Sequence, residues 1–121
     1  MAPSLNQGDR LFVNKLVYTR LPSYLSGYFD KNHYLFHGPK RGDVIVFTPP
    51  HDYERDFVKR VIGIPGDVVD IDGAHVYVNG DTVNYPESIT SRVHENWLII
   101  VPESAYFVLG DNRDITCDSR N

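Results

Sequence analysis

The chain has 121 residues, which is enough for one domain with a hydrophobic core and too few for two. A hydrophobic fraction of 41% and a charged fraction of 23% are ordinary for a globular protein. The net charge is -4 and the basic residues are scattered, so the composition argues against a nucleic-acid partner.

The apolar segments in chain order are short and rich in Val, Ile, Phe and Tyr, as strands are. They cover residues 10–18, 43–48, 56–63, 67–72, 75–80, 97–102 and 106–111. A hairpin is predicted to turn at Asp72-Gly73, and its second strand to end at Asn79-Gly80. No stretch shows a long helical period with caps. We expect a mainly β protein with little helix, arranged as a folded antiparallel sheet or partly closed barrel.

One aromatic-rich stretch, at about 19–40, breaks this pattern. We expect a single domain over 1–121 with an insertion there. An ordinary packed insertion is favoured over contact of exposed aromatic rings with a membrane surface. The strongest apolar runs, 44–47 and 97–101, are far shorter than the about 20 residues of a spanning helix.

Cysteine and histidine usage argues against a metal. The single cysteine, Cys117, excludes an intrachain disulfide framework. His33 and His37 are four residues apart, but Tyr34 stands where the zinc-protease helix pattern needs a glutamate. We expect no metal and no other cofactor.

Lys59 stands out because it lies within an apolar segment, "DFVKRVIG". In a strand, Phe57, Lys59 and Val61 share one face, and Arg60 faces the other way. A lysine held among apolar side chains loses its proton more readily and can act as a general base. The alternative is a strand-edge lysine whose charge reaches water.

The C-terminal run "GDNRDITCDSRN" (110–121) is dense in opposite charges. It suggests a buried network of ion pairs and hydrogen bonds, with a solvated polar tail as the alternative.

Four sequence blocks together resemble bacterial type I signal peptidase, the leader peptidase family of membrane-anchored serine proteases. In order they are "MAPSLNQGDRLFVNK" (1–15), "RGDVIVF" (41–47), "FVKRVIGIPGD" (57–67) and "GDNRDITCDSR" (110–120). The resemblance covers nearly the whole chain and implies a signal-peptidase or LexA-like fold.

By this resemblance Lys59 is the general base of a Ser-Lys dyad, and Thr116 hydrogen-bonds its amine. The positions that hold the site together are Asp111, Arg113, Asp118, Ser119 and Arg120. The shallow pockets for small substrate side chains fall near Met1, Leu5, Leu11, Phe57 and Val58. Ser4 replaces the family's usual Thr and is not the nucleophile position.

The family's nucleophile is the serine directly before the methionine that is Met1 here. We therefore expect a catalytic-domain fragment that lacks its serine, is soluble and is inactive alone. The implied partners are preprotein signal peptides and, for the full-length protein, a cell membrane with the catalytic domain on its extracytoplasmic side. One alternative is a non-catalytic module that binds signal peptides or lipopeptides in the same groove. A weaker one, a self-cleaving Ser-Lys repressor or mutagenesis protein, fits the Gly-Asp-Asn-Arg block poorly.

Overall fold

The computed structural model describes residues 4–6, 8–14, 18, 37–49, 54–73, 75–83 and 96–112. Within these ranges the chain forms seven strands and no helix, which confirms the prediction of a mainly β protein. The strands are β1 (Val44–Phe47), β2 (Phe57–Gly63), β3 (Val68–Asp72), β4 (His75–Val78), β5 (Asp81–Thr82), β6 (Asn96–Ile100) and β7 (Phe107–Leu109).

The first sheet is antiparallel, in the order β1-β2-β7. Its middle strand, β2, contains Lys59 and Arg60. Arg60 lies level with Val44 on one side and with Leu109 on the other. The register between β2 and β7 shifts between Val61 and Gly63. Residues near position 60 are therefore paired on both sides, which fixes their backbone firmly.

The second sheet, in the order β5-β4-β3-β6, is built from two hairpins and a long-range strand. The predicted turn after Asp72 is confirmed, because Asp72 pairs with His75. Asn79 and Gly80 have φ angles of 55° and 88°. Positive φ at both central positions defines a type I′ turn, the geometry that an Asn-Gly pair favours. This turn leads into β5, a two-residue strand that the sequence did not predict.

The hydrophobic core lies where the two sheets meet. In β3 the buried and exposed positions alternate, so that Val69 and Ile71 point inward. They pack against Val101, which follows β6, and against buried side chains of both sheets, namely Ile62, Val76, Val78, Phe107 and Leu109. The described strands form two separate antiparallel sheets and do not close into a barrel. The predicted antiparallel β architecture is therefore confirmed.

The strand predicted over 10–18 is wrong where the structure describes it, because residues 10–14 lie outside every strand. Leu11, Phe12 and Val13 are exposed instead of packed in the core. They line an open groove beside β1, which accounts for their apolar character. Most of the predicted insertion, residues 19–36, lies outside the described residues. In the described ranges no helix is long and apolar enough to cross a membrane.

Gly63, at the end of β2, has no room for a side chain beside the second sheet. A Cβ atom there would lie 2.7 Å from Val69 Cγ2 and 2.9 Å from Val101 Cγ2. We expect Gly63→Ala to lower the free energy of unfolding by about 1–3 kcal/mol through overpacking. Val69→Ala removes the methyl group that would clash with the new Cβ atom. The loss of unfolding free energy in the double variant should therefore be smaller than the sum of the losses in the two single variants, by at least about 0.5 kcal/mol. Urea unfolding of the four proteins measures this coupling, and strictly additive costs would contradict the packing described.

Candidate active site

Lys59 is buried, with only 7% of its surface exposed. It lies on β2 opposite Ile45 of β1, in the middle strand of its sheet. Its Nζ atom lies 5.6 Å from the centre of the Phe57 ring, which belongs to the same strand face. The strand-edge alternative is therefore wrong, and the buried position, one of the two that the sequence left open, is the one observed.

Arg60 faces the other side of β2, where it forms a two-pronged ion pair with Asp111. Its Nε atom donates to Asp111 Oδ1 and its Nη2 atom to Asp111 Oδ2, both at 3.0 Å. The Arg60 Nη1 atom donates to the carbonyl oxygen of Gly42 at 2.9 Å. The side chains of Arg60 and Asp111 are 16% and 2% exposed. This fork geometry is the strongest way for an arginine to hold a carboxylate.

Asp111 also accepts a hydrogen bond from Ser4, whose Oγ atom lies 2.6 Å from Asp111 Oδ2. Burial by itself would raise the pKa of the Asp111 carboxyl. The hydrogen bonds from Arg60 and Ser4, together with the charge of Arg60, outweigh burial and lower that pKa. Asp111 is therefore ionised at neutral pH, and Ser4, Asp111 and Arg60 form one connected polar cluster, here called the Ser4 cluster.

An open groove of ≈ 860 Å³ runs beside β1. Three of the predicted pocket residues line this groove, namely Leu5, Leu11 and Val58. The other lining residues are Ser4, Phe12, Val13, Asn14, Tyr18, Val44, Ile45, Val46, Phe47, Thr48 and Asp56. Phe57 does not line this groove. Its ring packs edge-on against Phe47, with centroids 6.3 Å apart. The groove is mainly apolar, and β1 forms one edge of the first sheet in the described part of the chain.

Two hydrogen bonds fix the polar side chains around the groove. The Thr48 hydroxyl donates to Asp56 Oδ1 at 2.8 Å, beyond the end of β1. The Tyr18 hydroxyl donates to Asp43 Oδ2 at 2.6 Å. Burial, followed by this bond to the Asp43 carboxylate, raises the pKa of Tyr18 to about 12. Tyr18 is therefore a neutral donor at the groove wall at every physiological pH.

A second ion pair joins the two sheets away from the groove. Arg41, which precedes β1, donates through two nitrogens to the buried carboxylate of Asp67, which precedes β3. Asp67 also accepts hydrogen bonds from the Ile64 amide at 2.9 Å and from Asn79 Nδ2 at 3.1 Å. Burial would raise the pKa of Asp67, but these donors outweigh it and lower the pKa. The Gly66-Asp67 turn therefore also links the two sheets, through the salt bridge from Arg41 to Asp67.

Several predicted site residues lie outside the described residues, namely Met1, Arg113, Thr116, Asp118, Ser119 and Arg120. Their roles stay predictions. Among the residues that the structure describes, no group of three or more His, Cys, Asp or Glu side chains could hold a metal ion. Sequence reasoning missed the partnership of Ser4 with Asp111 and the part of Arg60 in it. The available signal was the arginine directly after Lys59, together with the acidic C-terminal block.

Comparison with known proteins assigns the family. The model of the family "Signal peptidase, peptidase S26" matches residues 1–121. A protein named signal peptidase I P from Bacillus subtilis subsp. natto is 37% identical over 131 residues, which cover 100% of this chain and 61% of that protein. A probable signal peptidase I-1 from Synechocystis sp. is 34% identical over 126 residues, covering 98% of this chain and 56% of that protein.

Among solved structures, a signal peptidase I from Enterococcus faecalis V583 is similar to this chain with a TM-score of 0.58 and 30% sequence identity. The similarity covers 69% of this chain and 86% of that structure. The chain belongs to the signal peptidase family, peptidase S26. It spans between about half and three fifths of the length of the curated relatives quoted above.

The buried Arg60–Asp111 pair predicts a specific acid sensitivity. We expect Asp111→Asn to lower the free energy of unfolding by about 3 kcal/mol at neutral pH, because it leaves a buried guanidinium without its counter-charge. The folded-state pKa of Asp111 lies below the ordinary value of 3.8, so its contribution is present above that value and is lost as pH falls through the folded-state pKa.

The stability difference between wild type and Asp111→Asn should therefore narrow by up to about 1 kcal/mol between pH 6 and pH 3. Urea titrations at several pH values measure it. The control is Asp70→Asn, which changes an exposed carboxylate on β3 and should alter stability by less than about 0.5 kcal/mol. A difference that stays constant down to pH 3 would contradict the ion pair described.

Proposed function

We propose that this chain is the catalytic part of a signal peptidase I, which removes signal peptides from exported preproteins by a Ser-Lys mechanism. Family membership supports the activity, since the relatives named above are signal peptidases. The observation that carries the mechanism is the burial of Lys59 on β2, directly after Val58 of the apolar groove. In this proposal Lys59 is the proton acceptor for a peptide bound in the groove, whose wall includes the neighbouring residue Val58.

Lys59 is the general base in this proposal. Burial of an amine away from water favours its neutral form over the charged ammonium. Lys59 is buried in this way, with 7% of its surface exposed. A neutral amine can accept the proton of a serine hydroxyl as the hydroxyl attacks the scissile carbonyl. The same amine, once protonated, can deliver the proton to the leaving amine. The serine belongs directly before Met1, and Thr116 provides the hydroxyl that orients the lysine.

The substrate lies extended along β1 in this proposal. An exposed strand edge offers main-chain N–H and C=O groups, and a peptide that adds a strand binds to them with alternate side chains in pockets. Leu5, Leu11 and Val58 supply apolar walls on one side of that path. Shallow apolar walls suit small side chains before the cleaved bond. The remaining members of the predicted site, Arg113, Asp118, Ser119 and Arg120, would hold the C-terminal block in place.

The cellular setting follows from the same proposal. Exported preproteins are cleaved at a membrane, so the full-length protein would be membrane-anchored with these residues on the extracytoplasmic side. Its partners would be preprotein signal peptides and the membrane surface, with no metal or other cofactor.

The first test concerns Lys59. In the full-length protein with serine directly before Met1, Lys59→Met should lower kcat for a preprotein peptide by about 10²–10⁴-fold, the usual contribution of a general base. Methionine keeps the length and apolar stem of lysine without its amine. Cleavage is followed by mass spectrometry of the two peptide products.

The matched control is Lys40→Met, which removes an exposed lysine before β1 and should leave kcat unchanged. Residues 1–121 without the preceding serine should show no cleavage, while saturable binding of an Ala-x-Ala peptide to them would fit the groove described. Full activity of Lys59→Met would overturn the Ser-Lys mechanism. Lys59-dependent cleavage by residues 1–121 alone would place the nucleophile elsewhere.

The second test concerns the groove wall. We expect Val58→Phe to lower kcat/KM for an Ala-x-Ala substrate at least about tenfold, because the larger ring fills the channel beside β1. Val68→Phe makes the same exchange at a half-exposed position of the second sheet and should change kcat/KM less than about twofold. Equal effects of the two exchanges would argue that the groove does not bind the substrate.

A further inference from the structure

The groove beside β1 has a charged wall at one position. Among the described residues that line it, Asp56 alone has a charged side chain, and the others are apolar or neutral and polar. Its charged neighbours in sequence, Glu54 and Arg55, are not among the lining residues. A carboxylate on an otherwise uncharged wall attracts cationic groups of a ligand and repels anionic ones.

Two other carboxylates contact lining residues without lining the groove themselves. Asp43 accepts the hydrogen bond of Tyr18, and Asp111 accepts that of Ser4. Asp111 is also almost fully buried and paired with Arg60, so its charge is compensated within the protein. Asp56 is therefore the carboxylate that a ligand in the groove meets directly.

The strand geometry places Asp56 beside the predicted substrate pocket. Asp56 directly precedes β2, and Val58 lies two positions later, so their side chains point to the same face. Both line the groove, and two residues of a strand span about 6–7 Å. In the proposed function Val58 is a wall for the small side chains before the cleaved bond. Asp56 then flanks that wall on the side away from Lys59.

Thr48 holds the Asp56 carboxylate at the groove wall. Phe47 pairs with Phe57, so Thr48 and Asp56 extend the register of β1 and β2 by one position. The Thr48 hydroxyl donates to Asp56 Oδ1 at 2.8 Å, and both residues are exposed. A carboxylate offers about four acceptor positions, of which this hydroxyl uses one. The carboxylate is thus oriented by the protein and accessible to donors of a ligand.

We propose that Asp56 is a specificity-determining residue, which selects peptides with a basic side chain next to the small residues before the cleaved bond. The proposal rests on the function proposed above, because it takes the groove as the substrate site. Lysine and arginine can reach a carboxylate from a neighbouring position while their apolar stems cover the groove wall. A glutamate or aspartate at the same position is repelled by Asp56.

A selecting Asp56 and two simpler roles predict different results. If the bond from Thr48 only joins the strand ends, loss of the Asp56 charge affects basic and acidic peptides equally. If the net charge of -4 attracts basic peptides from a distance, removing any exposed carboxylate weakens their preference to the same extent. If Asp56 selects the peptide, its charge alone controls the ratio between basic and acidic peptides.

The experiment uses the full-length protein with serine directly before Met1 and sets of peptides that differ at one position. Lysine, glutamine or glutamate is placed at the middle residue of an Ala-x-Ala peptide, or at either of the two residues before its first alanine. Mass spectrometry of the products gives kcat/KM for each peptide. Fluorescence anisotropy of labelled peptides with the Lys59→Met variant gives Kd without cleavage.

At low salt, we expect kcat/KM of the lysine peptide to exceed that of the glutamate peptide at least about threefold at one or more of these positions. The same ratio should appear in Kd. In 1 M salt it should fall below about 1.5-fold, because the Debye length shrinks to about 3 Å.

The variants locate the origin of this ratio. Asp56→Asn keeps an acceptor for Thr48 and should bring the ratio below about 1.5-fold, while Asp56→Lys should invert it. The matched control is Asp70→Asn, which removes one exposed carboxylate of the second sheet and should keep the wild-type ratio.

Each outcome supports or overturns the selection by Asp56. Equal cleavage of lysine and glutamate peptides at every position overturns it and leaves the proposed function standing. A preference that persists in Asp56→Asn, or that Asp70→Asn weakens as much, also overturns it. A lysine preference in Kd that depends on Asp56, without cleavage of any peptide, supports the selection and overturns the proposed function. Absence of both binding and cleavage overturns the two together.

Discussion

The buried ion pair between Arg60 and Asp111 is the constraint on which the site depends. Two charges taken out of water are tolerated only when their geometry is nearly ideal and their remaining hydrogen bonds are made. Both conditions are met here, because the guanidinium binds both carboxylate oxygens and the Gly42 carbonyl oxygen, and Ser4 donates to the carboxylate. The pair therefore fixes the exit of β7 against the middle of β2.

The alternation of a strand then separates two neighbouring cations into two roles. If Lys59 shared the face of Arg60, its ammonium would lie near the Asp111 carboxylate, which would keep the amine protonated. Because the two side chains point to opposite faces, Arg60 pairs with the Asp111 carboxylate, while Lys59 is buried on the other face with its Nζ atom over the Phe57 ring. The alternation of side chains along β2 thus supplies both the Arg60–Asp111 ion pair on one face and the proposed base, Lys59, on the other.

Local features of the fold were predictable from sequence, and distant partnerships were not. The hairpin turns at Asp72-Gly73 and Asn79-Gly80 follow from residues adjacent in the chain, so their positions were predicted correctly. The burial of Lys59 was one of two open readings, since alternation cannot tell which strand is central. The bond of Ser4 to Asp111 spans 107 positions and had no local signal. The segment 10–14 looked like a strand because its apolar residues serve a groove instead of a core.

The most direct test of the proposed Ser-Lys mechanism is a crystal structure of the full-length protein with serine before Met1 and an extended Ala-x-Ala peptide inhibitor. We expect the peptide to lie along β1 and Lys59 Nζ to lie about 2.6–3.2 Å from the oxygen of that serine, the reach of a base and its nucleophile. We also expect Ser4 to donate to Asp111 in that complex. A Lys59 amine more than about 5 Å from the serine oxygen, with the peptide bound away from β1, would contradict the Ser-Lys mechanism.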